Sequence, residues 1–67
     1  MKKILTRRES DVFNLLILNY STEEIAAKLQ ISEKTVRNHI SNVIQKLGVK
    51  SRASAIVELI KLREINL

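Results

Sequence analysis

Lys34, Arg37, Asn38, Ser41 and Gln45 are the side chains in this sequence whose types and spacing could do chemistry together. Intervals of three and four residues, with one adjacent pair, place them on one side of a helix. The chemistry such a set offers is hydrogen-bond reading of an exposed edge. Arg and Lys match guanine O6 and N7, Asn and Gln match adenine N6 and N7, and Ser serves either base. Catalysis would ask for a nucleophile with a base, a carboxylate pair or a metal set. The chain has one histidine, His39, and no cysteine. Glu23 and Glu24 are adjacent, but they open a helix, where acidic side chains suit the dipole whatever the function. Gly48 is the single glycine, so there is no glycine-rich phosphate loop. No enzyme activity, metal, cofactor or small-molecule substrate is expected.

The elements that must position this face are marked by capping chemistry. Thr6-Arg-Arg-Glu9 is a capping box in which hydroxyl and carboxylate satisfy orphan amides reciprocally, with Leu5 placed ahead of it as a hydrophobic staple. Ser21-Thr-Glu-Glu24 is a second box, and Ser32 and Ser51 are caps for two further helices. Gly48 stands where a left-handed residue closes the third helix, and Lys46 suits the negative end of its dipole. These signals predict helices at about 7–18, 22–29, 33–47 and 52–63 and an all-α fold in one domain spanning 1–67. Between the second helix and the cap of the third lie only Gln30 and Ile31. A short helix, a tight turn and a longer helix make a helix-turn-helix, here with Gln30 where many such turns carry glycine. Ile25, Ala26, Leu29, Ile31, Val36 and Ile40 supply its apolar markers.

At ~100° per residue, Val36, Ile40, Val43, Ile44 and Leu47 share one arc of the third helix. The five reading side chains occupy the opposite arc, with Thr35, Asn42, His39 and Lys46 on the flank. The fourth helix differs. Ser54, Glu58 and Lys61 take a narrow sector, and apolar residues fill most of the rest. The stripe with Ile56 and Ile60 is expected to close the core, which leaves Ala55, Leu59 and Leu62 to face a second copy of the chain.

Composition agrees with a small helical unit that needs help. Sixty-seven residues bury only ~60% of the unfolded surface, and without cysteine no disulfide can compensate. Good helix packing or a partner chain must do so. The net charge is +5, and residues 32–52 hold five basic side chains against Glu33 alone, the footprint expected for a polyanion. The longest apolar run, Leu15 to Leu18, is far short of the ~20 residues that span a bilayer. Thr6 to Asp11 is polar where a signal peptide would be apolar, so a cytoplasmic location, on the nucleoid, is expected.

Across nearly the whole chain, Leu5-Thr6-x-Arg8-Glu9-x-x-Val12, Glu24-Ile25-Ala26-x-x-Leu29, Ile31-Ser32-x-x-Thr35-Val36-x-x-His39 and Lys46-Leu47-x-Val49-x-x-Arg52-x-x-Ala55 occur in order. This pattern resembles the LuxR/GerE helix-turn-helix family. The resemblance implies a four-helix domain that dimerises through its last helix and lays its third helix in the DNA major groove. By position, Arg37, Asn38 and Ser41 match the family's base-facing sites, with Lys34 beside them. Thr22, Thr35, His39, Asn42, Lys46, Lys50 and Arg52 fall to phosphate contacts, while Arg8 and Glu9 match positions that serve structure. Asn19-Tyr20 departs from the glycine that most members carry before the second helix. The runs ISEKTVRNHISN, QKLGVK and VEL are most similar to a free-standing member that activates some late spore-coat genes and represses others.

The expected function is therefore a homodimeric, sequence-specific transcription regulator that binds double-stranded DNA and meets RNA polymerase. If Met1 is the native start, no receiver or ligand-binding domain precedes it, and abundance would set activity. The alternatives are a protein-interaction module on the same fold, or the excised output domain of a longer response regulator.

Overall fold

The computed structural model describes residues 3–66. Four helices follow one another: α1 (Arg7–Leu16), α2 (Thr22–Leu29), α3 (Glu33–Leu47) and α4 (Arg52–Lys61). Each begins at a hydroxyl cap. Thr6 and Ser21 form complete capping boxes with Glu9 and Glu24, and Ser32 and Ser51 accept from the amides of Thr35 and Ser54. In each case the cap satisfies a backbone donor that the first turn leaves without a helical partner.

The helices also end alike. Asn19, Gln30, Gly48 and Arg63 all adopt positive φ, between 57° and 71°. The next residue in each case, Tyr20, Ile31, Val49 or Glu64, donates its amide back to the carbonyl five positions earlier. This is the Schellman closure, which satisfies the last carbonyls and turns the chain sharply. Only one of the four left-handed positions is glycine; Asn tolerates the conformation well, and Gln30 and Arg63 hold it against a steric cost. Asn19 thus supplies the left-handed residue before α2, and Gln30 does so inside the tight turn. α1 ends at Leu16 and α4 at Lys61, two residues short of the limits of 18 and 63 expected from the sequence. The chain continues to each left-handed residue as a turn with bonds three residues apart, Leu18 and Asn19 donating to Leu15 and Leu16 and Arg63 to Ile60.

α3 lies centrally, packed on each of the other three helices. Val12 and Phe13 from α1, Ile25 and Ala26 from α2, Val36, Ile40 and Val43 from α3, and Ala55 and Leu59 from α4 form one buried cluster. Leu5 and Ile65, from outside the helices, complete it. Leu5 is therefore a core residue and not a local staple: the position it would have to meet in α1 is Ser10, which offers no apolar surface.

α4 corrects the sequence reading in one respect. Ala55 and Leu59 are fully buried within the chain itself, so neither is available to a second copy. Of the three residues expected at a dimer interface, only Leu62 is exposed, at 44%. The outward apolar side carries Ala53 and Val57, both exposed, with Ile56 and Ile60 half-buried beside them. Two apolar arcs on one helix are equally able to enter a core by hydrophobicity alone. The structure takes Ala55 and Leu59 into the core and leaves Ile56 and Ile60 packed at its rim.

Candidate nucleic-acid interface

The reading face rests on α3. Its buried residues Val36, Ile40 and Val43 fix the rotation of the helix, with Ile44 and Leu47 half-buried against the same core. That rotation leaves Lys34, Arg37, Asn38, Ser41, Asn42 and Gln45 exposed along the outer side. His39 and Thr35 are half-buried at the flank. The Thr35 hydroxyl lies 2.9 Å from that of Ser32, so it is shared with the cap of its own helix. Lys50 and Arg52 are exposed in the turn into α4 and its first residue, and Thr22 is half-buried at the start of α2. The sequence-predicted base set and most of the phosphate set thus open onto solvent from α3 and the two segments next to it.

One member of the base set is not free. Arg37 Nη2 donates to Glu33 Oε1 at 3.0 Å, one helical turn back, with both side chains substantially exposed. Exposed pairs at this spacing contribute only ~0.3–0.5 kcal/mol, enough to bias a rotamer and too little to lock it. The i,i+4 spacing of Glu33 and Arg37 was a legible signal for this pair.

Lys46 behaves differently from the rest of the phosphate set. Its ammonium donates to Glu9 Oε1 at 2.5 Å and to the Ile4 carbonyl oxygen at 3.3 Å. Glu9 is almost fully buried, and the amide of Thr6 donates to the same carboxylate oxygen at 2.9 Å. Burial pushes the Glu9 carboxyl up, but the Lys46 hydrogen bond and charge, with the Thr6 amide and hydroxyl, outweigh it and hold the group below its ordinary value. Through these two acceptors the Lys46 ammonium fastens the end of α3 to α1. Glu64 extends the same fastening: its carboxylate accepts from the amides of Ile4 (2.6 Å) and Leu5 (3.3 Å). Nothing in the sequence links these partners, which are 37 and 60 positions apart.

Elsewhere, Lys28 sits over the Tyr20 ring with its nitrogen 5.1 Å from the centroid, tying α2 to the turn before it. Among the described residues there is no cluster of side chains fit to hold a metal ion, and no helix is long and apolar enough to cross a membrane.

A capped short helix, a left-handed turn and a long helix with an exposed hydrogen-bonding side define a helix-turn-helix DNA-binding domain. The family model "GerE: Bacterial regulatory proteins, luxR family" matches residues 3–59, and the chain belongs to that family. It is 59% identical over 66 residues to the spore germination protein GerE of Bacillus subtilis, covering 98% of this chain and 89% of that protein. It is also 53% identical to the transcriptional regulatory protein DegU of Brevibacillus brevis, covering 87% of this chain but only 25% of DegU. The solved structure of the transcription factor GerE superposes with a TM-score of 0.95 at 57% identity, covering 97% of both chains. The response regulator ChrA of a heme-sensing two-component system matches with a TM-score of 0.86 at 37% identity, over 97% of this chain and 32% of ChrA. The chain is a GerE-like DNA-binding transcription regulator with four helices and, among the described residues, no strand.

Proposed function

We propose that the protein is a dimeric regulator that reads two half-sites in the major groove and controls genes of sporulation, activating some promoters and repressing others. The observation that carries the reading is the outer side of α3, where Lys34, Arg37, Asn38 and Ser41 stand exposed together above a buried apolar side. In this reading those four meet base edges. Thr22, Thr35, His39, Asn42, Lys50 and Arg52 meet phosphates and set the register, since phosphate contacts position while base contacts specify. Lys46 stays with Glu9.

The second copy docks on the outward side of α4, through Ala53, Ile56, Val57 and Ile60. This surface supports dimerisation because Ala53 and Val57 stand exposed and the core covers Ile56 and Ile60 only in part, and a domain of this size has little other means of enlarging its core. Two-fold symmetry would then present the two α3 helices to successive major grooves about 10 bp apart, or a multiple of that. The 59% identity to GerE, whose name places it in spore germination, supports the sporulation assignment. Activation implies contact with RNA polymerase from a surface that DNA leaves free, and the protein works in the cytoplasm on the nucleoid.

The test is selection from a random duplex pool at two salt concentrations, with sequencing of the bound fraction. The expected result is a motif of two related half-sites and an affinity that falls steeply with salt. Binding without a motif, or none, would overturn readout by α3 and favour a protein-interaction module on the same fold.

A further inference from the structure

Glu33 is the one acidic side chain between residues 32 and 52, and it stands one turn from the arginine at the edge of the reading face. A carboxylate at that place is costly for DNA binding on charge alone, because it opposes the phosphates that five basic side chains in the same stretch attract. Helix-dipole favour at the first position of α3 explains a negative charge there. It does not explain the 3.0 Å contact to Arg37 Nη2, which needs a side chain long enough to reach across the turn.

The contact involves one corner of the guanidinium. The remaining donors of the planar fork stay free, and a fork held at one corner has fewer orientations to give up when it pairs with the two acceptors of a guanine edge. An unheld arginine of the same exposure would sweep over neighbouring phosphates, which reward it equally on every sequence. We infer that Glu33 is a positioning residue for specificity: it orients Arg37 toward a base and withholds it from the phosphate backbone. This rests on the proposed role of Arg37 in base readout, and the test separates the two.

The experiment uses the site selected from the random pool and duplexes altered at each of its base pairs, with affinities measured for the wild type, Glu33→Gln, Glu33→Asp, Arg37→Ala and the Glu33→Gln/Arg37→Ala double variant. Glu58→Gln serves as a control that makes the same charge change on α4. Thermal melts followed by circular dichroism establish that each variant is folded. Glu33→Gln is expected to lose roughly twofold of the discrimination at the base pair that Arg37 reads, and at no other. Glu33→Asp, which keeps the charge but shortens the reach, is expected to lose discrimination at the same pair. In the Arg37→Ala background the Glu33 change is expected to do nothing there.

The inference is overturned if Glu33→Gln changes all duplexes alike, as Glu58→Gln should, or if Glu33→Asp behaves as wild type, since Glu33 would then act as charge only. It is also overturned if the altered preference falls at another base pair or survives in the Arg37→Ala background, because Glu33 would then touch a base itself. An Arg37→Ala variant with unchanged base preference would instead remove the underlying reading of Arg37.

Discussion

α3 and α4 are both helices with a wealth of apolar residues, yet only one of them declares its orientation in the sequence. In α3 the apolar positions form one arc and the hydrogen-bonding side chains form the opposite one, so burial of Val36, Ile40 and Val43 leaves a single possible outer side. In α4 apolar residues lie on two sides, and periodicity cannot say which enters the core. The structure buries Ala55 and Leu59 and turns Val57 outward. A face can be read from sequence when polarity opposes it; when it does not, the pattern leaves the choice open.

The comparison can be broken most directly at the inner side of α4. Leu59→Ala is expected to cost about 2–5 kcal/mol of stability, as for a large-to-small change at a fully buried site. Urea denaturation would measure it; a loss that appears only through a weakened dimer would restore Leu59 to an interface. The anchorage of α3 comes next. Glu9→Gln removes the counter-charge of the partly exposed Lys46 ammonium and weakens the buried hydrogen bonds at Glu9, and is expected to cost about 1–2 kcal/mol. Because the Glu9 carboxyl is held below its ordinary value when folded, its contribution is fully present above the unfolded value of ~4.3. It is lost as the pH falls through the folded value. Wild type should therefore lose stability on acidification, and Glu9→Gln should lose less of it, in paired melts at neutral and acid pH.

The outer side of α3 should respond in binding and not in folding. Arg37→Ala is expected to relax one base pair of the selected site by about 1–3 kcal/mol, whereas Lys50→Ala should weaken all duplexes alike and flatten the salt dependence. Competition binding against single-base-pair variants distinguishes them. The smallest effect on folding belongs to the outer side of α4. At 52% exposure, Val57→Lys should change monomer stability by no more than about 0.5 kcal/mol. Sedimentation or light scattering should nevertheless show loss of the dimer. A destabilised monomer, or an unchanged dimer, would place the interface elsewhere.

Much of the fold was legible because its signals are local. Thr6 with Glu9, Ser21 with Glu24, and the caps Ser32 and Ser51 lie within three residues of the amides they satisfy. α2 and α3 run over the residues those caps mark out. The exposed side of α3 followed from its single apolar arc, and the family pattern of the chain followed from residues spread along its length. What the sequence withheld was non-local or unsigned. Gln30 and Arg63 adopt a conformation that their side chains do nothing to announce. Lys46 reads as one more cation of a basic stretch until a buried carboxylate from α1 is found against it. Ile65 lies beyond the last helix and enters the core only because Arg63 turns the chain back.

The grip of Glu64 on the amides of Ile4 and Leu5 also has a meaning in time. It joins residues 60 positions apart, whereas the caps and helical turns join near neighbours. Closing so long a loop costs chain entropy before any contact repays it, so local helices and their packing form first and the two ends meet late. Contacts absent from the folding transition state leave the rate of folding almost untouched and slow the reverse step. The carboxylate that ties the ends together is thus a brake on opening: it lengthens the life of the folded molecule without hastening its birth.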